Sequence, residues 1–183
     1  MMKKIVAFDT ETTGLLKPGA CGVNEQPYII EIFLLKFTED SEVMDTLEMY
    51  LKPPIELPEI ITKITGIRDK DLIGAKTFPE AYEEIADFMN GVDIFTAHNL
   101  SFDKNMLGNE LMRIDKVLNF PWPKKDICTV KKSKHYEGYR LNLGKLYKYL
   151  FNKELLNAHR AKNDVMAQSE CFIEMMKRGD IIL

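Results

Sequence analysis

Two carboxylates stand two positions apart near the N-terminus of the chain. Asp9 and Glu11 follow the apolar run Ile5-Val6-Ala7-Phe8, which reads as a short strand buried on both faces because its polarity does not alternate. Side chains spaced by two project from the same face of an extended backbone. Because like charges at that distance repel, the pair requires bound protons, basic side chains or a metal ion to neutralise it.

A third acid lies at the start of a predicted helix. The predicted strand Val92–Ala97 leads into His98-Asn99-Leu100-Ser101-Phe102-Asp103, and the apolar spacing that follows predicts a helix over 101–118 with Ser101 as its N-cap. Asp103 then falls in the first turn, where an acid also interacts favourably with the helix dipole. Taken alone, Asp103 is better explained by helix stability than by chemistry.

The stretch Asn157-Ala158-His159-Arg160-Ala161-Lys162-Asn163-Asp164 contains a fourth acid and a histidine. Asp164 and Val165 share one face of the predicted last helix, 161–177, so the acid is directed towards the core side. His159 comes just before that helix. A histidine titrates near neutral pH and suits proton transfer, although a surface loop histidine is an equal explanation for His159 alone.

Four carboxylates and one histidine therefore form the candidate chemical centre: Asp9, Glu11, Asp103, Asp164 and His159. Carboxylate oxygens are ligands for magnesium or manganese rather than zinc. Two such ions, about 3.5–4 Å apart, are the usual arrangement for in-line phosphoryl displacement. Divalent ions would also explain how Asp9 and Glu11 can lie side by side.

The elements that must position these side chains follow from the apolar patterns. Strands are predicted at 5–8, 28–37, 42–51 and 92–97, helices at 78–89, 101–118, 141–151 and 161–177, a loop at 17–27 and a short helical turn within 57–67. The first three strands are expected to form an antiparallel meander. Strands followed by alternating helices and strands predict an α/β fold, a mixed sheet with helices packed on its faces.

Composition excludes several classes of protein. The 183 residues fit a single domain, 1–183. No apolar stretch reaches the length of a membrane span and no signal peptide is visible, so a cytoplasmic location without membrane contact is expected. The three cysteines form no CxxC pair, which argues against a zinc knuckle or a disulfide framework.

Positive charge is concentrated between the second and third acidic stretches. Residues 124–148 hold eight basic and two acidic residues in a chain whose net charge is −3. A solvated face explains such a run. If the segment borders an acidic centre that handles phosphates, Lys131, Lys132 and Arg140 become candidate contacts that track the phosphates of a nucleic acid.

The motifs FDTETTG, HNLSFD and HRAKND resemble the three exonuclease motifs of the DnaQ-like, or DEDDh, family of 3′→5′ exonucleases. The resemblance runs from Lys3 to about Met176. The histidine of the HxAxxD motif separates this branch from the branch with a tyrosine there. The resemblance implies an RNase H-like fold, a central five-stranded mixed sheet flanked by α-helices.

The resemblance also implies roles for the candidate residues. Asp9, Glu11, Asp103 and Asp164 would bind two divalent ions, Mg²⁺ or Mn²⁺. His159 would be the general base that accepts a proton from the attacking water. The product would be a nucleoside 5′-monophosphate released from the 3′ end.

Six further positions are implied to contact substrate: Thr12, Leu15, Thr65, His98, Asn99 and Phe102. Leu15 matches the apolar residue that wedges between the last two bases, and Phe102 fits a helix core face equally well. Thr65 stands where family members carry a histidine, which leaves the sugar and base contacts there open.

Three hypotheses about function are compatible with the sequence. The first is a proofreading or repair exonuclease acting on the single-stranded 3′ end of DNA, either free-standing or associated with a DNA polymerase. The second uses the same chemistry on RNA, as in RNase T and oligoribonuclease, and a homodimer like that of RNase T stays open. The third is an inactive binding module, which has no need of four carboxylates that repel one another.

Overall fold

A five-stranded mixed sheet runs through the part of the chain that the structure, a computed structural model, describes: residues 2–156 and 160–183. Its strands are β1 (Lys4–Thr12), β2 (Ile29–Thr38), β3 (Val43–Tyr50), β4 (Ile94–Ala97) and β5 (Lys125–Cys128). Their order is β3-β2-β1-β4-β5. The β1–β2 and β2–β3 pairs are antiparallel and the β1–β4 and β4–β5 pairs are parallel. The predicted mixed sheet and its antiparallel meander are confirmed.

Seven α-helices occur within the described residues: α1 (Glu59–Thr65), α2 (Phe78–Met89), α3 (Leu100–Arg113), α4 (Thr129–Lys132), α5 (Lys134–Glu137), α6 (Leu143–Phe151) and α7 (Ala161–Lys177). The bounds of α2 and α7 agree with the sequence prediction. The short turn predicted within 57–67 is α1, which ends at Gly66 with a positive φ of 77°, a conformation that glycine adopts without steric cost. No helix of the described residues is long and apolar enough to cross a membrane.

The central strand β1 divides the core into two layers. Val6 and Phe8 pack into the apolar cluster that contains residues of α2 and α3. Ile5 and Ala7 pack into a second cluster with residues of α6 and α7. Because successive side chains of a strand alternate between faces, Asp9 and Glu11 continue on the α7 face and Thr10 continues on the α3 face.

Strand β1 is longer than the sequence analysis predicts. It extends to Thr12 because it pairs with β2 along its whole length, with a register shift between Glu11 and Thr12. Asp9 and Glu11 therefore lie within the strand rather than after it. Their backbone is fixed by sheet hydrogen bonds, which holds the spacing of the two carboxylates.

Helix α3 differs from the predicted helix 101–118 in where it ends and in which residue is its N-cap. It ends at Arg113, because Asp115 has a φ of 55° and turns the chain. Its N-cap is Asn99, with a φ of 72°, rather than Ser101. The Ser101 hydroxyl instead donates to Asn99 Oδ1 at 3.4 Å.

Strand β5 and helix α6 differ from the elements that the apolar patterns predict. Strand β5 pairs with β4, but only Ile127 and Cys128 are buried within it, too short an apolar run to be read from sequence. Helix α6 begins at Leu143 rather than at residue 141, because Asn142 Oδ1 accepts a hydrogen bond from the backbone N–H of Lys145 at 2.9 Å and caps the helix.

Candidate active site

Three carboxylates meet on the α7 face of the sheet. Asp9 and Glu11 of β1 and Asp164 of α7 each place an oxygen within 4.8 Å of the others. The two strand residues share a face because they are spaced by two, and Asp164 lies in the first turn of the helix that crosses them. The sequence prediction that these acids converge is confirmed for these three.

Asp103 approaches β1 from the opposite face of the sheet. Its Oδ1 accepts hydrogen bonds from the backbone N–H of Thr10 at 3.1 Å and from the Thr10 hydroxyl at 3.0 Å. Within the described residues Asp103 is not a member of the 4.8 Å cluster. It is attached to the residue that lies between Asp9 and Glu11, so all four acids surround one short stretch of β1.

Burial and mutual repulsion disfavour negative charge on these acids. Burial raises the pKa of Asp9 well above its usual range, and Asp103, Asp164 and Glu11 raise it further. Burial, followed by repulsion from Asp164, raises the pKa of Glu11 to about 7. Burial raises the pKa of Asp103 to about 7, although the two hydrogen bonds from Thr10 oppose the shift. The centre therefore favours bound cations or protons.

The donor set fits hard divalent cations. Every side chain of the cluster presents carboxylate oxygens, which suit magnesium and manganese. The carboxylates of the cluster lie close together, and the pKa values of Asp9 and Glu11 are raised. A divalent ion would take the place of the protons that these two groups favour. Asp9, Glu11 and Asp164 could hold such an ion directly, and Asp103 borders them through Thr10.

An ion pair between the buried Glu31 and the partly exposed Arg160 borders the carboxylates and was not anticipated from the sequence. Glu31 of β2 accepts hydrogen bonds from Arg160 Nη2 at 2.8 Å and from the backbone N–H of Ala161 at 3.2 Å. Arg160 Nη2 also donates to the Tyr50 hydroxyl at 2.7 Å. A signal was present, because Glu31 is a lone acid in the apolar run YIIEIFLLKF and a buried charge needs a partner.

The predicted general base, His159, lies outside the described residues. Its neighbours in the motif are placed: Arg160 binds Glu31 and Asp164 joins the carboxylate cluster. The role of His159 stays a prediction.

Three predicted substrate positions differ in how much of each side chain is accessible. Leu15 is 79% exposed and free to contact a ligand. The Thr12 hydroxyl donates to the Gly14 carbonyl at 2.7 Å. Thr65 is only 5% exposed, and its hydroxyl donates to the Ile61 carbonyl at 2.9 Å. Of these three, Leu15 presents the most surface to a nucleic acid.

The remaining substrate positions lie where β4 leads into α3. His98 is bound through both ring nitrogens, Nδ1 to the Thr129 hydroxyl at 3.0 Å and Nε2 to the Leu141 carbonyl at 3.1 Å. Burial lowers the pKa of His98 to about 4, so the ring is neutral at physiological pH. Asn99 is exposed, and Phe102 is half-buried against the core layer of α2 and α3.

The predicted phosphate contacts separate into two groups. Lys131 and Lys132 line a cavity of about 430 Å³ together with Lys104 and Ser101 of α3. That cavity lies beside the first turns of the helix that carries Asp103. Arg140 is exposed and is not among the residues that line this cavity.

Comparison with known proteins resolves the family. The sequence profile of the RNase_T exonuclease family matches residues 6–172. The chain belongs to this exonuclease family. The match contains all three acidic motifs, and it confirms the predicted resemblance to DEDDh enzymes, whose activity is 3′→5′ exonucleolytic.

Curated relatives of this exonuclease chain are much longer proteins. It is 30% identical over 179 residues to the DNA polymerase III PolC-type protein of Caldanaerobacter subterraneus subsp. tengcongensis, covering 96% of this chain and 12% of that protein. The PolC-type protein of Staphylococcus saprophyticus is 35% identical over 182 residues, covering 94% of this chain and 11% of that protein. The chain thus spans about an eighth of the length of these relatives.

Solved exonuclease structures share the fold. The nuclease domain of 3′hExo, a DEDDh family member bound to rAMP, matches with a TM-score of 0.78 at 19% identity, covering 97% of this chain and 94% of that one. A full-length 3′-exonuclease matches with a TM-score of 0.77 at 19% identity, covering 97% of this chain and 62% of that one. The RNase H-like fold implied by the motifs is confirmed.

Proposed function

We propose that this exonuclease acts on DNA, removing nucleoside 5′-monophosphates one at a time from a single-stranded 3′ end with two divalent metal ions. The observation that carries the proposal is the convergence of Asp9, Glu11 and Asp164 within 4.8 Å, with Asp103 attached to the strand between them. DNA is favoured over RNA because the curated relatives, at 30% and 35% identity, are DNA polymerases.

Each member of the centre has a role in this proposal. Asp9, Glu11, Asp103 and Asp164 hold the two ions, Mg²⁺ or Mn²⁺. When bound, these ions would supply positive charge beside the phosphate and lower the pKa of water. His159 accepts the proton of the attacking water. The raised pKa values of Glu11 and Asp103 mean that cations displace protons from the carboxylates on binding.

The substrate strand approaches along the exposed side of the centre. Leu15, which is exposed, contacts the last bases, and apolar contact with a base face does not depend on which base is present. Of the other predicted contacts, the exposed Asn99 and the half-buried Phe102 are proposed to meet the terminal nucleotide directly. Thr12, Thr65 and His98, whose side chains make internal hydrogen bonds, are proposed to shape its path through the backbone that they hold. Lys131, Lys132 and Arg140 follow the upstream phosphates.

The relatives support a proposal for the biological setting. A chain that resembles an eighth of a PolC-type polymerase is proposed to act as a proofreading or repair domain in the cytoplasm, alone or beside a DNA polymerase. A second copy of the chain remains the other candidate partner. The 1–183 range is proposed to form a single exonuclease domain.

One substrate comparison tests the DNA assignment. A 5′-labelled DNA strand, an RNA of the same sequence and the DNA with one terminal ribonucleotide are incubated with the protein and Mg²⁺ or Mn²⁺. The proposal expects the all-DNA strand to be shortened fastest, with the single 2′-hydroxyl slowing the first step. Faster shortening of RNA would assign the chain to the exoribonucleases instead. Binding without shortening of any strand would favour the inactive module.

A further inference from the structure

We propose that Glu31 is a positioning residue of the active site. Through Arg160 and the backbone N–H of Ala161 it fixes the first turn of α7, and thereby holds the Asp164 carboxylate against Asp9 and Glu11. This inference rests on the proposed function, because the centre that Glu31 supports is the one assigned to catalysis.

Glu31 lies in the same row of the sheet as Glu11. Its Cα pairs with that of Glu11 on β1 and with that of Tyr50 on β3, so the three side chains project from one face. The Glu31 side chain is 2% exposed. An apolar residue would be expected at such a position, since a buried charge is costly unless it is paired and hydrogen-bonded.

The contacts of Glu31 are directed at the start of α7. Arg160 Nη2 donates to Oε1 at 2.8 Å and Arg160 Nε lies 3.3 Å from both oxygens. The backbone N–H of Ala161 donates to Oε2 at 3.2 Å. Arg160 is the N-cap residue of α7 but provides no side-chain cap hydrogen bond, so Glu31 satisfies one of the free N–H groups of the first turn.

A direct hydrogen bond connects this anchor to the metal centre. The carbonyl of Arg160 accepts from the backbone N–H of Asp164 at 3.0 Å. The first turn of α7 therefore links Arg160, which Glu31 binds, to Asp164, which completes the carboxylate cluster. A carboxylate suits this position because its two oxygens bind the guanidinium and the Ala161 N–H together.

Burying the Glu31 carboxylate costs free energy, which indicates that this residue has a function beyond packing. Its carboxylate is directly opposite Glu11 in the β1–β2 pairing and places further negative charge beside the cluster. If position 31 contributed only to folding, an apolar residue there would give at least as much stability as a fifth acid beside the other four. The arrangement is explained if precise placement of Asp164 matters more than the repulsion.

Three variants test the role: Glu31→Gln, Arg160→Met and the double variant. Outer contacts of metal ligands typically change metal affinity or activity by about 10- to 100-fold, so each single variant is expected to lower kcat and Mn²⁺ affinity by that amount while KM for a DNA strand changes by less than about threefold. The double variant should lose no more than the worse single, because both break the same link.

A matched control is a second ion pair between the start of α7 and the sheet, this one to the neighbouring strand β3. Lys162 of α7 and Glu48 of β3 form an ion pair at 2.8 Å whose side chains are both about half exposed. Glu48→Gln should leave kcat and Mn²⁺ affinity within about twofold of the unmodified chain. Tyr50→Phe removes only the outer contact of Arg160 and should lower kcat a few-fold without lowering the melting temperature.

The readouts separate positioning from general stability. Mn²⁺ affinity is measured by calorimetry without nucleic acid, so it remains informative even if the unmodified chain proves to cleave no strand and the proposed function fails. Melting temperatures are measured in EDTA. Loss of Mn²⁺ affinity and kcat in the Glu31 and Arg160 variants, but not in Glu48→Gln, supports the inference. Lower melting temperatures with unchanged kcat and Mn²⁺ affinity, or an unchanged kcat in Tyr50→Phe, would overturn it.

Discussion

One carboxylate oxygen of Asp103 accepts hydrogen bonds from both the backbone N–H and the hydroxyl of Thr10, at 3.1 and 3.0 Å. Thr10 lies between Asp9 and Glu11 but projects from the other face of β1. Helix α3 and helix α7 thus bring their acids to the same strand from opposite sides. This relationship explains how residues that are far apart in sequence form one centre.

The first prediction concerns the Thr10 hydroxyl. Thr10→Val keeps the backbone hydrogen bond to Asp103 and removes the other. Because both bonds favour the charged carboxylate, the variant should raise the pKa of Asp103 further. The pH dependence of Mn²⁺ binding should then move to higher pH, with affinity at pH 7 lower by about tenfold, as expected for one hydrogen bond to a charged group. Thr46→Val, on the exposed strand β3, is the control and should have no such effect.

Stability of the metal-free protein should decrease as pH rises towards neutrality. The pKa of Glu11 is raised from 4.5, and that of Asp103 from 3.8, to about 7. Between about pH 4.5 and 7 the folded state therefore binds more protons than the unfolded state, so the free energy of unfolding falls across this window. Urea unfolding in EDTA at pH 5 and pH 7 measures the effect.

Two comparisons isolate that contribution. Asp103→Asn removes one of the raised pKa values, so it should flatten the fall and make the metal-free protein more stable than the unmodified chain at pH 7. His98 acts in the opposite direction. Its pKa is lowered to about 4, so its contribution to stability is lost as pH falls from about 6.5 to 4. An Asp103→Asn protein that is less stable at pH 7 would contradict the electrostatic account.

An exposed leucine tests the substrate path. Leu15 is 79% exposed, so Leu15→Ala should leave the melting temperature unchanged. It should weaken binding of a single-stranded DNA end by at least about fourfold, because burial of a single CH₂ group contributes about 0.8 kcal/mol. Leu118 is 96% exposed and follows the far end of α3, which makes Leu118→Ala the matched control. Equal affinity in the two variants would remove Leu15 from the binding surface.

The basic cavity beside α3 should determine how binding depends on salt. Replacing Lys131 and Lys132 together by Glu is expected to weaken binding of a long strand. The slope of log affinity against log salt concentration should shrink by about 1.4, since each phosphate contact of a single strand contributes about 0.7. Lys177→Glu, at the opposite end of α7 from Asp164, is the control. An unchanged slope in the double variant would show that the segment is only a solvated face.

The sequence predicts the strongly periodic elements better than their ends. Helix α2 is predicted correctly because its apolar residues, which the structure buries, repeat at helical spacing. Strand β5 escapes detection because its two buried residues follow an exposed pair and it is stabilised by pairing with β4. The early end of α3 depends on the backbone turn at Asp115, which no side-chain pattern encodes.

The four carboxylates of the candidate site could be predicted from the sequence, but the contacts that support them could not. Acids spaced by two on a strand, or placed in a first helical turn, indicate their direction from sequence. The supporting contacts are long-range: Thr10 binds a residue 93 positions away and Glu31 binds one 129 positions away. Such pairs follow from the order of strands and the placement of helices on each face, which single-chain patterns do not determine.

The measurement that tests the central claim most directly is a time course on a 5′-labelled single-stranded DNA with Mg²⁺, with Mn²⁺ and with EDTA. The unmodified chain is compared with Asp9→Ala, which removes one member of the 4.8 Å cluster. We expect the labelled DNA to be shortened stepwise from its 3′ end only when a divalent ion is present, and we expect no shortening by Asp9→Ala. Shortening that persists in EDTA or in Asp9→Ala would contradict the assignment of the carboxylate cluster as the catalytic metal centre.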